Sequence, residues 1–338
     1  MAQGSAIPHL IDLNDWSEQA VDDLLDLSVR LKKRAAVDTL QGRSVGLLFF
    51  RASLRTRISF ESAMQQLGGE TIHLTAASDF WDLEVQEGAV MDGRAPEHVR
   101  DAARVLSRYV HALAIRPGLG GQSWEVDRQD STIRAWARHA QVPVINMESA
   151  LYHPLQALAD LMTMRETLGS LTGKKLCISW TRSPQPSSAA VTNSLLLAAL
   201  RAGMQVHIAH PEGYDLDEEI SARARAMCGD DAQRFATGLD AEEAVQGAHI
   251  VYARSWASTR DYGNPTLAAS RRARLSGWMV DAALMRRSDG AKLMHAMPVR
   301  RNIEVSDEVL DGPQSLVYEQ AENRLHSQKA LLVRLLRG

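Results

Sequence analysis

The stretch VGLLFFRASLRTRISFESAMQQLGG, from Val45 to Gly69, decides the fold of the chain around it. Its first six residues are almost all apolar, which predicts a buried parallel strand, and apolar residues at helical spacing begin near Thr56. At the start of a helix, free backbone N–H groups and the helix dipole favour an anion. Four polar residues fall at that point: Ser53, Arg55, Thr56 and Arg57.

The residues alone leave two interpretations of this junction open. An arginine can hold a phosphate through two parallel hydrogen bonds, so the junction suits a phosphate site. The same residues also suit a helix cap rich in arginine and threonine that binds nothing. The GxxxxGK pattern of a Walker loop is absent from this stretch, so a nucleotide-binding loop of that class is not indicated.

The composition indicates an ordinary globular protein of two domains. A chain of 338 residues is long for a single core, and 45% of its residues are hydrophobic and 23% charged. A net charge of −3 does not indicate nucleic-acid binding. Cys177 and Cys228 belong to no CxxC or Cys/His cluster, so neither a metal site nor a disulfide is predicted. Without a signal peptide or a membrane-length apolar run, we expect a soluble, cytoplasmic protein with no membrane partner.

Strand-like and helix-like segments alternate along the chain. This alternation predicts an α/β fold with two domains, each with a central parallel sheet flanked by helices. In the first half we expect a helix opened by Pro96, a helix over residues 124–140, and strands at 45–50, 71–74, 111–115 and 142–147. In the second half we expect a further segment at 278–280 and strands at 176–180, 205–209, 249–253 and 293–297.

Polar residues follow several of the strands in the first half: Arg55, Arg116, Glu148 and His153. Ligands of parallel sheets sit at the carboxyl ends of the strands, so these side chains are expected at one edge. Taken singly, Arg116 could form a surface ion pair, and Glu148 or His153 could cap a helix. Their convergence on one edge favours a binding site.

Three motifs carry a family resemblance: Ser53-Leu-Arg-Thr56, His153-Pro-Leu-Gln156 and His295-Ala-Met-Pro-Val-Arg300. In this order and with these gaps they resemble the motifs of the aspartate and ornithine carbamoyltransferases. The resemblance extends from about Asp15 to the C-terminus. The segments at 90–93, 144–148 and 322–326 are similar to those of the N-acetylornithine and N-succinylornithine branch.

The resemblance implies how the two domains divide the work. Residues 1–152, completed by a C-terminal helix over 320–338, would form the carbamoyl phosphate-binding domain. Residues 153–319 would form the acylornithine-binding domain. The branch also carries a proline-rich loop, matched by Arg182–Pro186, through which the chain passes to form a knot. No metal or organic cofactor is implied.

The resemblance also implies which residues bind carbamoyl phosphate. They are Ser53, Leu54 (through its backbone), Arg55, Thr56, Trp81, Arg116, His153, Gln156 and Arg324. Of these, Arg116, His153 and Thr56 would be catalytic, because they match donors that polarise the carbamoyl oxygen. Gln156 and the backbone carbonyls of residues 295–297 would bind the carbamoyl amide.

For the second substrate, the matching positions are Glu148, Arg254, Met297, Pro96 and Arg300. Relatives that act on acetylornithine carry glutamate at the position of Pro96, and those that act on succinylornithine carry proline. A carboxylate there would repel a succinyl chain, whereas proline leaves space and no charge. The sequence therefore predicts N-succinyl-L-ornithine as acceptor, with N-acetyl-L-ornithine as the alternative.

Trp81 matches a tryptophan that reaches into the neighbouring subunit's active site in this branch, which implies a homotrimer with shared sites.

Four residues depart from the family pattern: Ala296 replaces a common cysteine, Arg254 replaces lysine, Arg51 replaces a neutral residue, and Glu304 replaces a lysine that becomes carboxylated in some relatives. Glu304 could supply that negative charge or only cap a helix. The departures leave a non-catalytic homologue as a further alternative.

Overall fold

The computed structural model describes residues 8–34, 39–288 and 290–337. These residues form two compact units. The first unit comprises the described residues up to Leu119, the segment Asp127–Leu158, and those from Arg324 onward. The second comprises Gly120–Val126 and Ala159–Asn323. Each unit is built on its own parallel sheet, so the predicted α/β class is confirmed.

The first part of the chain supplies a four-stranded sheet with the order β2-β1-β5-β6. The elements in chain order are α1 (Glu18–Lys33), β1 (Ser44–Phe49), α2 (Arg55–Gln66), β2 (Glu70–Thr75), β3 (Leu83–Glu84), β4 (Glu97–His98), α3 (Val99–Leu106), β5 (Ala112–Arg116), α4 (Trp124–Asp127), α5 (Ser131–His139), β6 (Val144–Asn146) and α6 (Pro154–Leu168). The strands β1 and β5 are almost fully buried, which agrees with their continuous apolar runs.

The second part supplies a five-stranded parallel sheet with the order β11-β10-β7-β8-β9. Its elements are β7 (Lys175–Trp180), α7 (Ala190–Arg201), β8 (Gln205–Ala209), α8 (Glu218–Cys228), β9 (Phe235–Leu239), α9 (Ala241–Ala244), β10 (Ile250–Arg254), α10 (Pro265–Ala273), α11 (Ala282–Arg286), β11 (Lys292–Met294), α12 (Asp307–Leu310) and α13 (Val317–Leu336). Helix α7 is buried along nearly its whole length, because alanine and leucine occupy most of its sides.

The structure adds one strand to the predicted second sheet. The edge strand β9 is absent from the prediction. The segment at 278–280, to which the prediction assigns no element, lies outside the sheet, and Val280 forms an isolated bridge with Val305. Neither segment carries a long apolar run, so their pairing depends on contacts with distant parts of the chain.

Two predicted helices of the first half are also wrong in detail. Pro96 does not open a helix, because α3 begins at Val99 with His98 as its N-cap. Pro96 lies instead at a bend directly before β4, whose two residues pair with Leu83–Glu84. The helix predicted over residues 124–140 is divided into α4 and α5 at Asp130, which adopts a positive φ of 50°.

The break at Asp130 has a structural purpose. Its buried carboxylate accepts hydrogen bonds from the Ser149 hydroxyl (2.6 Å) and from the Ala150 N–H (2.9 Å), and so holds the turn after β6. Burial raises the pKa of Asp130 despite these hydrogen bonds.

None of the described helices is long and apolar enough to cross a lipid bilayer. The passage of the chain through the loop at residues 182–186 stays a prediction.

Candidate active site

The β1–α2 junction has the geometry that its sequence predicts. Strand β1 ends at Phe49 and α2 begins at Arg55, with Leu54 as an N-cap that makes no side-chain capping hydrogen bond. Thr56 is buried, whereas the Leu54 side chain is exposed, which suits a contribution through the Leu54 backbone. The N-cap side chain therefore does not cap the helix, which argues against the purely structural interpretation of the junction. The N–H groups of the first turn are suited to binding an anion.

Arg57 differs from Arg55 although the two share the first turn of α2. The Arg57 guanidinium lies 4.5 Å from the centre of the Phe49 ring and donates to the Thr75 hydroxyl at 3.0 Å. Its place is thus explained by packing against β1 and β2. This separates the two arginines by function: Arg55 remains the predicted phosphate ligand, and Arg57 is structural.

Helices α6 and α13 bring two further motifs to Thr56. Arg324 donates to the Thr56 hydroxyl at 3.1 Å and to the side-chain oxygen of Gln156 at 2.8 Å. Arg324 is buried, and so are both of its partners. Three residues from widely separated motifs therefore form one hydrogen-bonded group in the first unit.

Arg116 and Glu148 meet at the carboxyl ends of β5 and β6. Their ion pair is 2.6 Å long, and the two side chains are only 15% and 7% exposed. Arg116 is therefore no surface ion pair. Glu148 adopts a φ of 125°, a conformation that side chains rarely take, and α6 begins only at Pro154, so Glu148 does not cap that helix.

Arg51 also contributes to this corner of the site. It lies 3.6 Å from the Glu148 carboxylate and donates to the backbone oxygens of Glu148 (2.7 Å) and Pro117 (3.1 Å). Two cations thus hold a glutamate that was predicted to contact the acceptor. The sequence pattern around Arg51 indicates no role for it, although Arg51 lies two residues after β1, where the strand-end rule places binding residues.

His153, Pro96 and Trp81 complete the predicted residues of the first half. His153 is buried immediately before α6, and its backbone oxygen accepts a hydrogen bond from Gln156. Pro96 is exposed at the bend before β4. Trp81 is 60% exposed, and its indole N–H donates to Glu97 at 3.1 Å.

In the second unit, Arg254 ends strand β10 and is buried to 6% exposure. It donates to the backbone oxygen of Ala296 at 3.0 Å, and its Nε–H meets no acceptor among the described residues. Across the described ranges, no carboxylate lies within ion-pair distance of this guanidinium. A buried cation normally requires an anionic partner, so Arg254 is suited to a carboxylate from outside the chain.

Glu304 and His295 form a second buried group beside Arg254. The carboxylate of Glu304 lies 3.1 Å from Nε2 of His295 and accepts from the Arg300 N–H at 3.0 Å. Burial lowers the pKa of His295, which favours the neutral ring, and in the tautomer protonated at Nε2 the ring donates a hydrogen bond to the Glu304 carboxylate. Burial acts to raise the pKa of Glu304, but these hydrogen bonds outweigh it and the pKa is lowered.

Glu304 therefore caps no helix, since α12 begins at Asp307 with Ser306 as its N-cap. It fixes both ends of the loop from His295 to Arg300 instead. Met297 is half-buried in this loop. The exposed Arg300 side chain donates to Gln185 at 3.2 Å, within the proline-rich segment.

Comparison with known proteins identifies the family. Residues 8–166 match the family model of the aspartate/ornithine carbamoyltransferase, carbamoyl-P binding domain. Residues 175–335 match the family model of the Asp/Orn binding domain. The chain belongs to the aspartate/ornithine carbamoyltransferase family. It is a carbamoyltransferase, which confirms the resemblance carried by the three motifs.

Several relatives of this carbamoyltransferase match over nearly their full length. N-acetylornithine carbamoyltransferase of Xylella fastidiosa (strain 9a5c) is 38% identical over 333 residues, which cover 98% of this chain and 99% of the relative. Acetylornithine transcarbamylase complexed with acetylcitrulline is 36% identical, with a TM-score of 0.94 over 97% of this chain and 99% of the other. A glutamate-to-proline variant of N-acetyl-L-ornithine transcarbamylase, complexed with carbamyl phosphate and N-succinyl-L-norvaline, is 37% identical, with a TM-score of 0.93 and coverage of 97% and 100%.

Proposed function

We propose that this enzyme transfers the carbamoyl group of carbamoyl phosphate to the δ-amine of N-succinyl-L-ornithine. The products would be N-succinyl-L-citrulline and phosphate, formed during arginine biosynthesis in the cytoplasm. The observation that carries the acceptor assignment is Pro96, because acetylornithine relatives have glutamate at the matching position. The carbamoyl phosphate half of the reaction rests on the group around Thr56, Arg116 and Arg324.

The donor site would act by positioning and by charge. Ser53, Leu54 N–H, Arg55 and Thr56 would bind the phosphate at the start of α2. Arg116, His153 and Thr56 would donate hydrogen bonds to the carbamoyl oxygen, where negative charge grows as the δ-nitrogen attacks the carbon. The bond from carbon to the phosphate oxygen then breaks, and the departing phosphate takes the proton of the amine. No protein side chain is required as general base.

The proposed acceptor, N-succinylornithine, has two carboxylates that the enzyme must bind: the α-carboxylate and the carboxylate of the succinyl group. Arg254 supports the binding of one of them, because its buried guanidinium has no carboxylate of its own among the described residues. Met297 and Arg300, from the loop beside it, would complete this half of the site. Arginine in place of lysine retains the charge and adds a second direction for hydrogen bonds.

Pro96 would decide between the two acylornithines. A glutamate at this position would place a negative charge near the acyl group, which suits an acetyl chain and repels a succinyl chain. The glutamate-to-proline variant of the acetylornithine enzyme, described above in complex with N-succinyl-L-norvaline, makes this same exchange of residues. That complex supports the assignment without testing it in this chain.

The Pro96→Glu variant tests the acceptor directly. In the native enzyme we expect turnover of N-succinylornithine to exceed that of N-acetylornithine and ornithine. In the variant, kcat/KM for N-succinylornithine should fall about 30- to 150-fold, because apposed like charges cost about 2–3 kcal/mol. Turnover of N-acetylornithine should rise. Citrulline-type product formation with the three acceptors side by side measures both effects.

Pro96→Ala is the matched control, since it removes the ring without adding charge. It should retain the preference for N-succinylornithine. A native preference for N-acetylornithine would contradict the role of Pro96 and favour the second candidate, which the names of the relatives support. A folded protein that turns over none of the three acceptors would mean that the acceptor is another amine.

We also propose that three copies of the chain form the enzyme and share their active sites. Large apolar side chains are exposed on the first unit, where water would otherwise surround them: Leu54, Ile58, Trp81, Val90 and Met91. Burial of this surface by a neighbouring copy would remove the cost of that exposure. Trp81 would then reach the neighbour's carbamoyl phosphate.

Mixed trimers test the sharing of sites. Arg55→Gln and Trp81→Ala should each be inactive alone, because each damages every site. Coexpression of the two in equal amounts should restore activity at about one site in four, where both native residues meet. Mixed trimers that are demonstrated by affinity tags yet remain inactive would contradict the sharing of sites.

A further inference from the structure

The loop from His295 to Arg300 carries the backbone carbonyls that are proposed to bind the carbamoyl amide. Strand β11 ends at Met294, which pairs with Tyr252 of β10 in the last register position of that ladder. Beyond this point the strand ladder ends, and the one hydrogen bond from the sheet to the loop among the described residues is that of the Arg254 side chain of β10, which donates to the Ala296 oxygen at 3.0 Å. The direction of the carbonyls at residues 295–297 therefore depends on what holds the His295 backbone.

A fully buried side-chain network takes over at the next residue. The His295 N–H donates to Oε1 of Gln320 at 2.8 Å. The amide group of Gln320 donates in turn to Asp160 at 2.6 Å and to the Tyr252 hydroxyl at 3.1 Å. Tyr252 donates its hydroxyl proton to the other oxygen of Asp160 at 3.0 Å. Asp160 and Tyr252 are 0% exposed, and Gln320 and His295 are 1% exposed.

The chemistry of this network fixes its own orientation. The Asp160 carboxylate only accepts hydrogen bonds, and the His295 N–H only donates. The side-chain amide of Gln320 accepts from the His295 N–H through its oxygen and donates to Asp160 through its nitrogen. Gln320 therefore has a single orientation that satisfies all its neighbours, and a network satisfied in this way is rigid.

We propose that Gln320, Tyr252 and Asp160 are positioning residues for carbamoyl transfer. They hold the His295 backbone, and through it the carbonyls of residues 295–297 and the Ala296 oxygen that accepts from Arg254. None of the three is among the residues predicted to bind a substrate. This inference rests on the proposed binding of the carbamoyl amide by that loop.

A merely structural role is the competing explanation, because the network also joins α6, β10 and α13. The two roles differ in what a substitution changes. A structural network affects the melting temperature and leaves the kinetics of the folded enzyme unchanged. A positioning network changes kcat/KM in folded enzyme, since small displacements of reacting groups have large effects on rate.

The test uses Gln320→Met, which retains the size of the side chain and removes its hydrogen bonds. Its kcat/KM for carbamoyl phosphate should fall about 10- to 100-fold, as a displacement of up to an ångström would cause. Tyr252→Phe removes only the hydroxyl and should lower kcat/KM less, in the same direction. If Gln320→Met does not fold, Tyr252→Phe decides the question by the same measurements.

Thr163→Val is the matched control. Thr163 is also buried on α6 and donates to the Ala159 backbone at 2.8 Å, while Asn323 of α13 donates to its hydroxyl at 2.9 Å. The variant thus removes a buried hydroxyl that joins α6 and α13, and none of these hydrogen bonds involves the loop at 295–300. It should lower the melting temperature and leave kcat/KM unchanged.

A binding measurement separates this inference from the acceptor assignment. Phosphonoacetamide carries an amide and a phosphonate that mimic the amide and the phosphate of the donor, whereas inorganic phosphate carries no amide. Gln320→Met should weaken binding of phosphonoacetamide and leave binding of inorganic phosphate unchanged. A native preference for N-acetylornithine would contradict the proposed acceptor but not this comparison. Equal kinetic losses in Thr163→Val and Tyr252→Phe, or unchanged phosphonoacetamide binding in folded Gln320→Met, would overturn the positioning role.

Discussion

Replacing Arg55 with glutamine is expected to lower kcat/KM for carbamoyl phosphate about 100- to 1,000-fold, the usual loss when a preorganised donor to developing charge is removed. Arg55 is the first residue of α2, where the helix dipole already favours the phosphate dianion. Glutamine retains a donor but lacks the charge and the two parallel hydrogen bonds of a guanidinium. Steady-state kinetics with saturating acceptor measure the loss.

Arg57→Gln is the control that makes this result specific. The two arginines stand two residues apart on the same helix, and both substitutions remove one positive charge. Arg57, however, is engaged with Phe49 and Thr75, so its loss should reduce stability with little effect on kcat/KM. Equal kinetic losses in the two variants would mean that general electrostatic attraction, and not a ligand at position 55, binds the phosphate.

Much of the fold could be predicted because the buried strands are visible in the sequence as apolar runs. β1, β5, β7 and β10 are continuous apolar runs, and the rule that ligands lie at strand ends then selects the polar residues that follow. Arg116 and Glu148 were placed at one edge by this rule, and they do meet there. The local pattern is sufficient wherever a residue's position follows from the strand directly before it.

The prediction failed where local pattern and tertiary contact disagree. Strand β9, with the sequence FATGL, contains a glycine and exposes part of its surface at the sheet edge, so it lacks a strand pattern. Pro96 is compatible with a helix start, yet pairing of residues 97–98 with β3 keeps the chain extended. In both cases residues distant in the sequence determine the conformation.

Ion pairs between residues that are distant in the sequence could not be predicted either. Nothing in the sequence near Arg51 indicates that it holds Glu148, 97 positions away. The pairing of Glu304 with His295 is likewise invisible until β11 and the following loop are folded together. A charged residue has no periodicity to reveal its partner, so these contacts required the structure.

Arg254→Gln is expected to raise KM for the acylornithine at least about 30-fold, because truncating one partner of a buried charge pair costs about 2–5 kcal/mol. Arg254 is 6% exposed and hydrogen-bonded to the Ala296 backbone, and a substrate carboxylate would supply the anion that the described residues do not. Binding of inorganic phosphate should be unchanged, since that ligand is assigned to the start of α2. Initial rates at varied acceptor concentration and a phosphate titration measure the two quantities.

Two control variants decide what a rise in KM means. Arg254→Lys retains the charge and should retain most of the affinity. Arg272→Gln removes another buried arginine, 8% exposed, which donates to the Pro184 backbone. If loss of a buried guanidinium acted only through the stability of the second unit, Arg272→Gln would raise KM as much as Arg254→Gln does. A selective effect at position 254, largely restored by lysine, would show that charge and position together bind the acceptor. Unchanged KM in folded Arg254→Gln would instead require another cation, of which Arg300 is the first to test, as the carboxylate partner.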